Sequence, residues 1–177
     1  TIANPGELAA ALVGDDVELI DDNGAPSGER VVVIHNPPVV NRELGIRQSS
    51  LKAARDISAE LIRSGIQTIV FAPSRTRVEL LLTYLRDSLR NKPGDPERVT
   101  GYRGGYLPNE RRAVEKGLRD GTVRGVVATN ALELGIDIGG LGASVVTGYP
   151  GSLASLWQQF GRAGRSREAA LSVLVAS

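Results

Sequence analysis

The amino-acid sequence predicts an α/β domain of three layers, in which a mainly parallel sheet is covered by helices on both faces. Two observations predict this class. Short apolar runs such as "TIVF" and "GVVA" alternate at least four times with longer stretches of helical periodicity. Strands that alternate with helices form right-handed crossovers and a parallel sheet. Continuous apolar runs are typical of strands that are buried on both faces of such a sheet.

The composition is typical of one globular domain. The chain has 177 residues, of which 41% are hydrophobic and 23% are charged, so it can bury a single core. It contains neither a long apolar run nor a secretory leader, and we expect a cytoplasmic protein without a membrane partner. With no cysteine and one histidine, no metal site is predicted. The net charge of +1 still permits a local basic surface.

The elements of the first half follow from local patterns. Residues 17–20 and 30–36 are predicted to form a hairpin, because the segment between them is rich in turn residues. Residues 37–45 are predicted to be a loop. A helix should follow and end at Gly65, and residues 67–72 should form a buried strand.

The second half continues the alternation. The next helix carries an apolar stripe from Val78 to Leu89, and Thr76 with Glu79 offers a capping box at its start. Another helix has Pro108 in its first turn and Gly121 beyond its end. The remaining predicted elements are strands at 98–102, 124–129, 143–149 and 171–176, a short helix at 130–135 and a helix at 152–165.

The helix predicted at 152–165 contains "QQFGRAGR". Gln158, Arg162 and Arg165 recur there at positions i, i+4 and i+7, which would place them on one face of a helix. Two guanidiniums and an amide in a column would suit an anion. In a parallel sheet, functional loops lie at the carboxyl ends of the strands. Hydroxyls such as Ser74, together with helix N-termini, would suit phosphates at that edge.

The motifs of the second half resemble those of a known family. "ATNALELGIDIG" and "QQFGRAGR" resemble the fifth and sixth motifs of superfamily 2 (DEAD/DEAH-type) helicases, which lie in the C-terminal, RecA-like lobe of these P-loop NTPase-type motors. "TIVFAPSRTRVELLLTYL" is similar to the fourth motif, and "YRGGYLPNERR" to the segment after it. With "GERVVVIHNPP", these stretches look most like the mitomycin-repair DNA helicase branch.

The resemblance also implies a domain organisation. "TIANPGEL" looks like the end of the third motif, so residues 1–14 are expected to be the tail of the preceding RecA-like lobe or a linker, and residues 15–177 the C-terminal lobe. The chain starts without methionine and stops on a predicted strand, and we expect a fragment of a longer protein. Neither a GxxxxGK[ST] phosphate loop nor an acidic box is present. In this family both belong to the N-terminal lobe.

The resemblance assigns ATP contacts residue by residue. It implies that Arg162 and Arg165 are arginine fingers on the γ-phosphate of ATP, the catalytic role in this lobe. Gln158 would lie near the same phosphate. Gly135 would allow a close backbone approach, and Asp137 would bind the ribose or a finger arginine. The N-terminal lobe of the same chain would hold most of the ATP and its Mg²⁺.

The resemblance also assigns contacts with single-stranded DNA, RNA being possible. Thr129 and Asn130 would hold a phosphate, and Ser74, Arg75 and Arg103 would contact the same strand farther along. Simpler interpretations stay open: Asp137 could cap a turn, Thr129 and Asn130 could be N-caps, and Arg103 could be a surface residue.

The resemblance therefore implies the second motor lobe of an ATP-dependent DNA helicase, inactive as an isolated fragment. The alternatives are the lobe of an RNA helicase or of a double-strand translocase, and a non-catalytic nucleic-acid-binding module.

Overall fold

The computed structural model describes residues 4–22, 24, 28–90, 96–102, 105–132, 141–164 and 168–177. Its helices are α1 Pro5–Val13, α2 Ser50–Arg63, α3 Arg75–Leu89, α4 Pro108–Arg119 and α5 Leu153–Phe160. Its strands are β1 Arg30–His35, β2 Val39–Asn41, β3 Ile46–Arg47, β4 Thr68–Phe71, β5 Val99–Tyr102, β6 Gly125–Ala128, β7 Ala143–Thr147 and β8 Ala170–Val175. Single 3₁₀ turns lie at Pro96–Arg98 and Asn130–Leu132.

The main sheet has six strands in the order β1-β8-β7-β4-β6-β5. Every neighbouring pair in it is parallel. All positions of the three middle strands β7, β4 and β6 are buried. The predicted parallel sheet is therefore confirmed, and all its carboxyl ends lie along one edge.

Helices cover both faces of the sheet and form two cores. On one face, α2 and α3 pack on the sheet through residues such as Ile62, Val70 and Leu85. On the other face, α4 and α5 contribute with Leu118 and Phe160 to a core around Ile69. Successive residues of β4 thus serve opposite faces, as the pleat of a strand requires. The predicted three-layer architecture is confirmed.

The predicted hairpin of residues 17–20 and 30–36 is wrong. Residues 17–20 form no strand, and Ile20 is 84% exposed. β1 instead pairs in parallel with β8 over all six of its residues, a longer ladder than a four-residue partner can offer. The hairpin lies instead at residues 39–47, where β2, inside the segment predicted as a loop, pairs antiparallel with β3, which follows that segment. Gly45 in its turn has φ 64°, a conformation that favours glycine.

The ends of α3 and α4 follow capping chemistry. α3 begins at Arg75, because the Ser74 hydroxyl accepts the backbone N–H of Arg77 at 3.3 Å. The capping box predicted from Thr76 and Glu79 is therefore wrong, since both lie inside the helix. α4 begins at Pro108 as predicted, and Gly121 beyond its end has φ 76°.

The first helix lies apart from the two cores. α1 runs from Pro5 to Val13, and its C-cap is Gly14, whose φ is 77°. None of its residues is buried, and Leu12 is 80% exposed. This position agrees with a boundary near residue 14, which stays a prediction.

Candidate functional site

A cleft opens at the carboxyl ends of β4, β6 and β7. Its volume is about 390 Å³. Three parallel strands supply its floor, and α5 supplies one wall. Its lining residues are Phe71, Ala72, Pro73, Asn130, Val146, Thr147, Gly148, Tyr149, Pro150, Gly151, Ser155 and Gln159. The cleft lies where a parallel sheet is expected to bind its ligand.

The Thr147 hydroxyl is the most deeply placed polar group at the end of β7. Thr147 is 2% exposed, and its Oγ1 has no hydrogen-bond partner among the described residues. A buried hydroxyl without a partner has lost its hydrogen bonds to water and gained none in the protein, which costs free energy. Thr147 lines the cleft, so this unsatisfied hydroxyl lies next to the space that a ligand would occupy.

The wall formed by α5 is rigidly tied to the sheet. Ser152 caps the helix by accepting the Ser155 N–H at 3.1 Å. Gln159 Nε2 donates to Ser155 Oγ at 3.2 Å, and the Ser144 hydroxyl donates to the Gln159 carbonyl at 2.9 Å. The sequence drew attention to Gln158, which is half-buried. The amide that lines the cleft is that of Gln159, whose i+4 relation to Ser155 was the available signal.

The predicted helix through Arg165 is wrong in its second half. α5 ends at Phe160, with Gly161 as its C-cap. Ala163 then forms a parallel bridge with Leu141, and Gly164 has φ 81°. A Cβ on Gly164 would lie 2.8 Å from the Cβ of Ala170, so glycine is required where the chain turns back to the sheet. Arg162 therefore shares no helical face with Gln158.

Arg162 lies inside the lobe. It is 4% exposed, and its backbone N–H donates to the Gln159 carbonyl at 3.3 Å. Arg30 holds the same turn by donating to the Ala163 carbonyl at 2.9 Å. Arg162 is therefore almost fully covered within this chain. The catalytic role predicted for Arg162 stays a prediction.

Two loops that were predicted to bind a strand lie side by side. β4 and β6 pair with Phe71 opposite Ala128, and the Ala72 N–H donates to the Ala128 carbonyl at 2.8 Å. The loop with Ser74 and Arg75 therefore adjoins the loop with Thr129 and Asn130. Ser74, Arg75 and Asn130 are exposed, Thr129 is half-buried, and Asn130 lines the cleft.

Four of the predicted site residues lie outside the described residues: Arg103, Gly135, Asp137 and Arg165. Their contacts are therefore not described. β5, which precedes Arg103, pairs with β6 through Tyr102 opposite Ala128.

Tyr102 is a structural residue at the end of β5. It is 2% exposed and donates its hydroxyl to Glu115 Oε1 at 3.1 Å. Burial, and then the hydrogen bond to the Glu115 carboxylate, raise the pKa of Tyr102 to about 12. Its buried ring cannot stack on a nucleic-acid base.

The described residues form neither a metal-binding cluster nor a membrane-spanning helix. They contain no group of three His, Cys, Asp or Glu side chains that could hold a metal ion. Within the same ranges, no helix has the length and apolar character needed to cross a bilayer.

The parallel three-layer sheet, with its strand order and its cleft at the strand ends, is a RecA-like α/β fold. A family model, the helicase conserved C-terminal domain, matches residues 51–167. The chain belongs to this family.

Known relatives agree with this assignment. The ATP-dependent helicase YprA of Bacillus subtilis is 52% identical over 177 residues, which is 100% of this chain and 24% of YprA. The crystal structure of the helicase MrfA bound to DNA is also 52% identical, with a TM-score of 0.92, over 100% of this chain and 24% of that one. The structure of the Mycobacterium smegmatis helicase Lhr bound to single-stranded DNA and AMP-PNP is 29% identical, with a TM-score of 0.78. The match covers 99% of this chain and 23% of that one.

The sequence-based recognition is confirmed by these relatives, for both the superfamily 2 lobe and the branch. The chain spans about a quarter of the length of the relatives described here.

Proposed function

We propose that this chain is the second motor lobe of an ATP-dependent DNA helicase, which grips single-stranded DNA and contributes arginine fingers to ATP bound between two lobes. The observation that carries the proposal is the polar cleft at the ends of β4, β6 and β7. It occurs in a chain 52% identical to MrfA, whose structure was solved with DNA. Residues 1–14 would belong to the preceding lobe or a linker, and residues 15–177 form the lobe proper.

The proposed DNA contacts rest on the adjacency of two loops. Thr129 and Asn130 start the turn after β6, and Ser74 and Arg75 start α3 after β4. Backbone N–H groups and hydroxyls at such starts bind phosphate oxygens. A strand crossing the sheet edge would meet both loops in succession and then Arg103. Contacts to the backbone alone would give binding that depends little on base sequence.

The proposed nucleotide contacts involve the segment after α5. Arg165 would be the arginine finger on the γ-phosphate, where a finger contributes about 10³–10⁵ in rate. Arg162 would act beside it after leaving its buried position, so changes there should affect folding as well as turnover. Gln158, Gly135 and Asp137 would approach the same nucleotide. ATP and its Mg²⁺ would be held mainly by the N-terminal lobe.

Each cycle would then couple two events. ATP would close the lobes over the cleft, and hydrolysis would reopen them. Because both lobes would grip one strand, each closure would displace the strand relative to the motor. The isolated chain would bind ATP weakly and would not hydrolyse it.

The test is the DNA-stimulated ATPase of the full-length protein with Arg165→Ala. We expect turnover to fall at least 10³-fold, with ATP and DNA binding largely retained. The matched control is Arg90→Ala, since Arg90 pairs with Asp87 at 3.0 Å at the far end of α3, and its turnover should be unchanged.

Normal turnover in Arg165→Ala would refute the finger assignment, and absence of ATPase in the unmodified protein would favour a non-catalytic module. Unwinding of duplexes with DNA or RNA tails would separate a DNA helicase from an RNA helicase. A translocase would turn over ATP and unwind neither.

A further inference from the structure

A second cavity lies on the same edge of the sheet, over the ends of β1 and β8. Its volume is about 370 Å³. It is distinct from the first cleft, with which it shares no lining residue. Its walls come from the segments after β1 and β8, the start of α2 and the first turn of α3. The lining residues are Asn36, Pro37, Arg47, Gln48, Ser49, Ser50, Leu51, Arg77, Ala176 and Ser177.

The charge of this cavity is positive. Arg47 and Arg77 line it, and no aspartate or glutamate does. Within the described ranges, neither arginine forms an ion pair. The nearest carboxylate by hydrogen bonding is Asp56, which accepts from Gln48 Nε2 at 3.4 Å and from Arg55 Nε at 2.8 Å. Asp56 is thus paired with Arg55 rather than with Arg47 or Arg77.

Arg47 is held in place by an uncharged group. Its Nη1 donates to the Pro37 carbonyl at 2.8 Å. A guanidinium has five N–H donors, so this bond fixes the planar group while leaving most donors for a ligand. Phosphate and carboxylate oxygens are the acceptors that match such a fork. Ser49 and Ser50 add two hydroxyl donors to the same walls.

The cavity is continuous with the proposed DNA path. Arg77 belongs to the first turn of α3, and its backbone N–H donates to Ser74, one of the proposed strand contacts. In the sheet order β1-β8-β7-β4-β6-β5, the second cavity lies over β1 and β8 and the first cleft over β7, β4 and β6. A strand that leaves the first cleft past Ser74 reaches Arg77 next.

We propose that the second cavity binds a backbone phosphate of the same single strand, with Arg47 and Arg77 as its cationic ligands. This inference rests on the proposed function and adds a subsite to it. The cavity offers guanidiniums and hydroxyls but no exposed aromatic ring, so it holds the strand without reading bases. It lengthens the grip toward the β1 edge of the sheet.

The test measures binding of oligothymidylate and of a mixed-sequence oligonucleotide to the full-length protein at 50 to 200 mM salt. The double variant Arg47→Gln/Arg77→Gln should lose one phosphate contact. The slope of log K against log salt should then be less steep by about 0.7. The ratio of unmodified to variant affinity therefore falls about 2.6-fold over this range. The loss should be equal for both sequences.

The matched control is Arg90→Gln, which removes one charge at the opposite end of α3 and should leave the slope unchanged. Thermal midpoints should fall only slightly, because Arg47, Arg77 and Arg90 are exposed and the substitutions remove one hydrogen bond, to the Pro37 carbonyl, and one exposed ion pair, to Asp87. Oligonucleotides shortened stepwise should become insensitive to the double substitution, once they are too short to reach the cavity.

Each other outcome has a defined meaning. An unchanged slope in the double variant, with binding weakened by Thr129→Ala/Asn130→Ala, would overturn this inference and leave the proposed function standing. No effect of either pair would overturn both. If inorganic phosphate, but not chloride, protected the cavity from an arginine-selective reagent while the strand did not, the ligand would be free phosphate and the inference would fail.

Discussion

The two edge strands of the six-stranded sheet have opposite environments. At the β5 edge, Val99 is fully buried and Tyr102 is 2% exposed. At the β1 edge, Val32 is 43% and Ile34 is 73% exposed. Both strands are parallel to their neighbours, and β1 has the longer apolar run of the two. The difference comes from the helices, because α3 and α4 pack against β5 while α2 packs against β8, β7 and β4.

The comparison shows that the apolar sequence of a parallel strand does not by itself determine whether the strand is buried. Continuous apolar sequence is necessary for a strand covered on both faces, but a helix must also arrive there. The β5 edge should therefore contribute to global stability, whereas β1 should contribute little beyond its ladder with β8.

The sharpest test of the two edges is a matched pair of substitutions. Val99→Ala should lower the free energy of unfolding by about 1.5–3 kcal/mol, since it removes fully buried methyl groups. Val32→Ala should change it by less than about 0.5 kcal/mol, as is usual for exposed positions. Denaturant titration of both variants measures this. Equal losses would show that the β1 edge is covered in solution.

A smaller change in stability is expected at two buried serines of the sheet that differ in their hydrogen bonding. Ser144 on β7 and Ser172 on β8 are register partners, and both are fully buried. The Ser144 hydroxyl donates to the Gln159 carbonyl, whereas Ser172 Oγ has no partner among the described residues. Ser144→Ala should therefore cost about 0.5–1.5 kcal/mol, and Ser172→Ala should be neutral or stabilising.

Thermal unfolding at neutral pH measures both serine variants. In Ser144→Ala, the Gln159 carbonyl would still accept a hydrogen bond from the Arg162 N–H at 3.3 Å. Because this carbonyl would not be left without a partner, the expected loss of stability is modest. A destabilised Ser172→Ala variant would contradict the prediction.

The smallest effect at neutral pH is expected from Tyr102, and it should emerge only in alkali. Its pKa is raised to about 12 in the folded state, by burial first and by Glu115 second, against about 10 in an unfolded chain. The folded state keeps the proton longer, so this stabilisation is complete below pH 10 and is lost as the pH rises toward 12. Unfolding midpoints at pH 9 to 12 should fall more steeply in the unmodified chain than in Tyr102→Phe. Parallel curves would contradict the raised pKa.

Much of the fold could be predicted from the sequence because its elements carry redundant signals. The strand at 67–72 and the helix after it have continuous apolar runs, an apolar stripe and terminal turn residues in agreement. The N-terminal part of the fold could not be predicted in the same way. The turn residues between 17–20 and 30–36 indicate a chain reversal, but they do not indicate the partner of each strand. β1 finds its partner in β8, about 140 residues away in sequence.

The sequence indicated the motifs of the candidate site but not the path of the chain after α5. The i, i+4, i+7 spacing of Gln158, Arg162 and Arg165 assumed an unbroken helix, whereas Gly161 and Gly164 end it and return the chain to the sheet. Helix periodicity carries no information about a left-handed residue that follows it. Thr147 was missed because nothing in a strand-end threonine reveals that it lines a cleft. Gln159 was missed although its i+4 relation to Ser155 was available in the sequence.

The position of β8 has a consequence for the order of assembly. β8 is the last strand of this chain, yet it lies between β7 and β1 and is the partner of β1 in the described sheet. A ribosome makes the amino-terminal residues first, so β1 must wait unpaired while the next 134 residues, from Asn36 to Ala169, emerge. The walls of the second cavity, which include Asn36 and Ser177, can close only when that wait ends. The phosphate subsite would thus mature only after β8 has been made and has paired with β1, and until then a chaperone would have to shield β1.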